Sequence, residues 1–356
     1  MIPLLLLLSP LALAAAGPEQ VVVYRETGRF GGWPANHGIW SWGNEILVGF
    51  SAAWYKPRDP GRHQMDGDKP EEPRLARSFD GGRTWTVEAP PSLLPPAQGG
   101  RKPVPLSQPI PFTAPGFAMT IRFLNIHQGA SLLYWSQDRG KTWRGPFEFP
   151  TFGQQGVAAR TDYVIDGPQT ATVFLTASKS NGKEGRPFAC RTTDGGLTWQ
   201  MLGWIGPEPS GFAIMPSSLR LGPKELLTTV RVKLDLDHNW IDAWRSTDNG
   251  RTWKAEGKVG YTGGFSGTPP HLIRLRDGRL CLTYASRNAP YPILARLSSD
   301  QGRTWSPPQT LRADAIAWDM GYVRSAQRPD GKVVTVYYYN DSRQPERFIA
   351  ATLWQP

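Results

Sequence analysis

Five aspartates stand in one eight-residue setting, S/T-x-D-x-G-x-T-W. The copies are SFDGGRTW (78–85), SQDRGKTW (136–143), TTDGGLTW (192–199), STDNGRTW (246–253) and SSDQGRTW (298–305). A carboxylate flanked by hydroxyls is a candidate for proton transfer. Five copies at hairpin-like turns argue for a different duty. Asp80, Asp138, Asp194, Asp248 and Asp300 can each accept backbone N–H bonds across a turn. The glycine permits positive φ, and the threonine supplies a hydroxyl. We therefore read these carboxylates as structural. Other chemistry is sparse. No Cys/His cluster has zinc spacing, so neither metal nor cofactor is implied. The two cysteines, Cys190 and Cys281, are too few for a disulfide framework. The net charge of +10 is spread along the chain without a long Lys/Arg run. It suits an arginine-lined cavity for an acidic ligand, and no nucleic-acid-binding motif accompanies it.

The elements follow from the repeat. The box aspartates are 58, 56, 54 and 52 residues apart, a period expected of propeller blades. HLIRLRDGRLCLTYASR reads as strand, Asp277-Gly278 turn, strand; PILARLSSDQGRTWS adds a third strand, the box and a fourth. Four strands per repeat make a blade. The box tryptophan leaves its turn to wedge between neighbouring sheets. After Trp305 three more strands follow without a box, and EQVVVYRE near the start is an orphan strand. Joined, they make a sixth blade that closes the ring and removes an exposed edge. The expected fold is all-β, one six-bladed propeller over 17–356, with 90–105 as an inter-blade loop. Ahead of it, MIPLLLLLSPLALAAAG reads as a secretory signal cut after Ala16. The mature chain is then secreted or periplasmic, free of the membrane, and a monomer.

The repeated box in an exported chain of six blades resembles the sialidase (neuraminidase) superfamily. The resemblance implies a central funnel on the face opposite the boxes and an exo-glycosidase acting on a carbohydrate with an acidic sugar. Tyr322, in GYVRS, stands where the sialidase nucleophile would be. Arg231 ends the second strand of blade four, and Arg287 stands near the place of another arginine of the carboxylate-binding triad. Arg324 is a third candidate for that clamp. Two guanidiniums on one carboxylate form a planar fork that lysine cannot reproduce. Sialidases carry an acid/base aspartate in the loop after blade one's second strand. Here that loop, WYKPRDPGRHQMDGDKPEEPR, offers Asp59, Asp66 and Asp68, with Arg62 and His63 beside them; Asp66, midway, is preferred. Two elements depart from the pattern. Blade one has Asn36 and His37 where sialidases have Arg-Ile-Pro, and blade four has Met215, Pro216 and Ser217 near the place of the glutamate that pairs with the tyrosine. His37 then becomes a second proton-handling candidate. Arg122, Arg160, Asp162 and Asp319 also point inward in this reading, and Trp54, Tyr55 and Trp240 offer rings for a sugar. Two alternatives stay open on the same fold: a non-catalytic carbohydrate-binding propeller, and a uronate lyase.

Overall fold

A computed structural model describes residues 17–356; the expected signal, 1–16, lies outside the described residues. Six antiparallel sheets are arranged in a ring. Blade four shows the plain pattern, with Phe212–Arg220, Leu226–Lys233, Asn239–Ser246 and Lys254–Tyr261 paired in order. Blade five repeats it with His271–Arg274, Leu280–Ala285, Ile293–Ser298 and Gln309–Arg312. In blade six, Gly321–Gln327, Val333–Asp341 and Gln344–Trp354 are closed by Glu19–Tyr24, which pairs with the last of them. The N-terminal strand is thus the outer strand of the last blade, as the orphan strand predicts. Among the described residues no helix is long and apolar enough to cross a membrane.

The remaining blades depart from the expectation of four even strands. Blade two has three strands: Ala118–Phe123, Ser131–Ser136 and Arg144–Glu148. The stretch before it carries prolines at 90, 91, 95, 96, 103, 105, 109, 111 and 115. Proline donates no ladder bond, so this stretch forms short 3-10 turns, Pro91–Leu93 and Pro96–Gln98, in place of an inner strand. The free inner edge is met by blade three: Phe123 N–H donates to Ala159 O at 3.3 Å, and Ile121 N–H to Thr161 Oγ1 at 3.2 Å. In blades one and three the inner strand is broken in two. Arg29–Gly32 and Ile39–Trp42 both pair with Glu45–Trp54, while Val157–Ala158 and Tyr163–Gly167 both pair with Thr170–Ser178.

The boxes act as turn staples. Asp80 Oδ1 accepts from the N–H groups of Arg83 and Thr84, both at 2.9 Å, and Oδ2 from the Thr84 hydroxyl at 2.7 Å. Threonine–aspartate bonds of this kind recur at Asp138, Asp194, Asp248 and Asp300. At Gly140, with φ 73°, a Cβ would lie 2.4 Å from Leu47 of blade one, so glycine also permits the inter-blade contact there. Between blades six and one, Phe30, Ile46, Val48 and Phe50 pack against Val334, Val336, Tyr338 and Ile349. That apolar seam joins the first and last sheets where the ring closes.

Candidate active site

The inner strands of blades four and six each slip register as they begin. Ile214 pairs with Arg231 and Ser217 with Thr229; likewise Gly321 pairs with Tyr338 and Arg324 with Val336. In each bulge one large residue takes positive φ, Met215 at 55° and Tyr322 at 55°. Such a conformation is costly for a bulky side chain and serves to re-aim it. Tyr322 is thereby turned toward Arg231, whose Nη1 donates to its hydroxyl at 2.9 Å. The Arg231 and Arg287 guanidinium carbons lie 5.5 and 5.7 Å from its ring. Burial pushes the Tyr322 phenol up, but the charges of Arg231, Arg287 and Arg160 prevail and hold it below the ordinary tyrosine value.

The structure brings Arg231, Arg287 and Tyr322 together, yet neither arginine is open as a clamp. Arg231 is 4% and Arg287 2% exposed. Arg231 Nε and Nη2 donate to Ser266 O at 3.0 and 2.8 Å. Arg287 Nη1 donates to Phe265 O at 2.9 Å, and Nη2 to the Tyr338 hydroxyl at 2.8 Å. Phe265 and Ser266 adopt φ of 49° and 69°. The Phe265 ring stacks on Trp318, with centroids 4.6 Å apart. These left-handed positions turn carbonyls toward the guanidiniums, a closure that no strand pattern announces.

Tyr322 opens instead onto a cavity of about 630 Å³ against blades one to three. His37 and Asn36 line it, following the 3-10 turn Pro34–Asn36. His37 Nε2 is 2.8 Å from Ser51 Oγ, and Ser51 donates to Glu71 Oε1. His37 Nδ1 and Asn36 Oδ1 are buried without partners. Burial, then the charges of Arg122 and Arg324, push the imidazole well below its ordinary value. Burial likewise raises the Glu71 carboxyl, against the opposing effects of Ser51, His63 and Arg122.

Cationic groups line the same space. Arg122 Nε donates to Thr120 Oγ1 at 3.3 Å, while its Nη2 has no partner. Burial lowers this guanidinium to about 10, and among the described residues no carboxylate pairs with it. Arg160 also lines the cavity but is paired with Glu184, its Nη2 lying 3.1 Å from Oε2. The long blade-one loop contributes His63, whose Nδ1 is 2.6 Å from Asp319. Asp319 further accepts from Gln64 N–H, the Tyr338 hydroxyl and Arg347 Nε. Burial opposes its ionisation, but His63, Arg347 and Arg287 keep its carboxyl far below the usual range.

Asp66 is not among the cavity residues. Its carboxylate takes a 3.1 Å bond from Lys56 Nζ, and its N–H bonds to Trp54 O. The anchoring of His63 on Asp319 turns His63, rather than Asp66, to the cavity. Trp54 is also elsewhere: it does not line the cavity, and Arg29 and Lys69 lie 4.4 and 4.6 Å from its ring. Arg324 and Asp162 lie on a separate cavity of about 230 Å³ with His271. Arg324 Nη2 donates to Ala35 O at 2.5 Å and Thr161 O at 2.6 Å. Asp162 accepts from the Ser218 hydroxyl at 2.7 Å, and burial raises it to about 7. Arg324 therefore ties blades one, three and six and does not join the other two arginines as a third clamp. Among the described residues no cluster of His, Cys, Asp or Glu could hold a metal ion. The reading of the sequence passed over Ser51 and Glu71. Their only local signals are a lone hydroxyl in the apolar run VGFSAAW and a carboxylate at the end of a long loop.

Residues 74–335 match the family model of the BNR repeat-like domain. Nothing among curated protein sequences matches the chain. Among solved structures, a protein of unknown function from Dyadobacter fermentans is 21% identical with a TM-score of 0.69; the match covers 95% of this chain and 98% of that one. Trypanosoma rangeli sialidase, solved with the inhibitor DANA, is 13% identical with a TM-score of 0.64, and this chain spans 60% of its length while 96% of this chain is covered. The K499G mutant of NanB sialidase from Streptococcus pneumoniae is 12% identical with a TM-score of 0.60, over 94% of this chain and 70% of that one. At such identities the likeness is one of fold, and it agrees with the six blades and box staples. The chain belongs to the BNR repeat-like domain family and carries a six-bladed propeller fold like that of the solved sialidases.

Proposed function

We propose that the protein is an exported, sialidase-like glycoside hydrolase that cleaves a glycan at an acidic sugar. The observation that carries the reading is Tyr322. Its hydroxyl is held by Arg231, its phenol is favoured as the anion by three arginines, and it borders a cavity that also holds Arg122, whose Nη2 has no partner. Glycosidic cleavage develops positive charge at the anomeric carbon, and a tyrosine nucleophile is one recognised solution. Arg231 and Arg287 serve Tyr322 here, so the substrate carboxylate falls to Arg122, with Asn36 on the wall of the same cavity. In the reaction the anomeric C–O bond breaks, its electron pair leaves with the departing oxygen, and that oxygen takes a proton. Tyr322, as its phenolate, bonds to the anomeric carbon or shields its charge until water forms the new C–O bond. The Tyr–carbon bond then breaks back to the phenolate, and the water's second proton goes to the group that protonated the departing oxygen.

The test is a panel of acidic glycans with product analysis, on the wild type and Arg122→Gln. A charge-assisted bond is worth roughly 1.5–3 kcal/mol. Arg122→Gln should therefore weaken use of the acidic sugar about ten- to a hundredfold, and leave a neutral analogue little changed. Binding without turnover would point to a carbohydrate-binding propeller. A product with a new ultraviolet-absorbing double bond would point to a lyase. Either result sinks the hydrolase reading.

A further inference from the structure

The hydrolase reading leaves the proton donor unnamed, and Asp66 is turned away from the cavity. Three side chains from separate segments of blade one form a line instead: His37 after the first 3-10 turn, Ser51 in Glu45–Trp54, and Glu71 just before Glu72–Ser78. Ser51 Oγ touches both neighbours, His37 Nε2 at 2.8 Å and Glu71 Oε1. The second oxygen of Glu71 has no partner among the described residues, and Glu71 lines the cavity. At the far end His37 Nδ1 is also unpartnered. An ionisable group on a cavity wall, with its second oxygen left open, is poorly explained as a structural pair.

We infer that Glu71, Ser51 and His37 form a proton relay in which Glu71 gives its proton to the glycosidic oxygen and regains one from the attacking water, while Ser51, backed by His37, holds its carboxylate. This rests on the hydrolase reading of the same cavity. Protonated Glu71 gives its proton to the departing oxygen. The resulting carboxylate is stabilised as Ser51 O–H donates to it and His37 Nε2–H donates to Ser51, the donor directions that the line of contacts allows. The water that attacks the anomeric carbon then gives its proton to the Glu71 carboxylate. One proton enters, one leaves, and no other reactant is needed. The charged and titratable groups facing the relay are His63 on the loop before Glu71, Arg122 on Ala118–Phe123, and Arg324 on Gly321–Gln327. Burial favours the neutral form at both ends, so the relay stores its proton on Glu71 rather than as an imidazolium.

Two measurements test the relay. First, carboxyl protonation is followed by infrared spectroscopy across pH, without substrate, in the wild type, Glu71→Gln and Ser51→Ala. We expect a carboxylic-acid band that is missing in Glu71→Gln and titrates above the ordinary glutamate range. In Ser51→Ala its midpoint should rise, because the carboxylate has lost a donor. Second, turnover is compared for a sugar leaving group and an activated aryl leaving group that needs no proton. Glu71→Gln should slow the first by about 10²–10⁴-fold and the second by less than about tenfold. Ser51→Ala should change the pH profile for the sugar leaving group only. Turnover with an ordinary Glu71 titration, or equal losses on both leaving groups, overturns the relay and spares the hydrolase reading. A wild type that cleaves neither substrate removes the hydrolase reading, and the catalytic role of the relay with it.

Discussion

Tyr322 illustrates how charge and burial compete at a single hydroxyl. Burial alone would make its phenol a weaker acid, but Arg231 is 2.9 Å away and Arg287 and Arg160 add to its field. Spectrophotometric titration should find one tyrosine ionising below the ordinary value. That titration should disappear in Tyr322→Phe and move upward in Arg231→Gln; a midpoint unchanged in Arg231→Gln would contradict the assignment. Tyr322 was legible in the sequence because it opens an inner strand of blade six in the place of the sialidase nucleophile, and His37 because it stands where an arginine was expected. Glu71 was not. It meets Ser51, 20 positions earlier, only because the loop between them folds back, and loop paths leave no periodic trace. The burial of Arg231 and Arg287 was hidden for a related reason. Strand spacing brings them to Tyr322, whereas the carbonyls of Phe265 and Ser266 reach them through left-handed conformations that neither residue type advertises.

The box turns and the strands they join were the most legible elements, since each box carries its own hydrogen-bond partners within eight residues. Asp194 accepts from Thr192 Oγ1, Thr198 N–H and Thr198 Oγ1. Asp194→Ala should lower thermal stability, at about 0.5–1.5 kcal/mol net for each bond lost, while turnover per folded molecule survives. Loss of turnover at unchanged melting temperature would contradict a structural role. The boxes also set an acid limit. At Asp80 burial opposes ionisation, but hydrogen bonds from Thr84, Ser78 and Arg83 hold the carboxyl at about 2, and Asp248 is likewise held at about 2. A depressed folded-state value contributes stability that is complete above the unfolded value and is lost as pH falls toward the folded one. Acid unfolding should therefore steepen between about pH 4 and pH 2, and Asp80→Asn should flatten it. The missing inner strand of blade two was less legible. The proline run announces a loop, but not that blade three would cover the edge it exposes.

The ring as a whole depends on its last seam. Glu19–Tyr24 completes blade six from the opposite end of the chain, and Val23 is buried in the apolar seam shared with blade one. Removing residues 17–25 should leave Gln344–Trp354 as an unpaired edge, lower the melting temperature and promote aggregation. Calorimetry and light scattering would check this, and an unchanged, monomeric truncation would refute closure by that strand. The closed ring also explains why side chains far apart in sequence, such as His37, Arg122, Arg160 and Tyr322, line one cavity. Its central consequence is that Tyr322 borders the cavity in which the proposed cleavage would take place. The most direct measurement is turnover and binding of a cleaved acidic glycan by Tyr322→Phe, which keeps the ring and removes only the hydroxyl. Our account predicts binding close to that of the wild type with turnover abolished; wild-type turnover by Tyr322→Phe would contradict it.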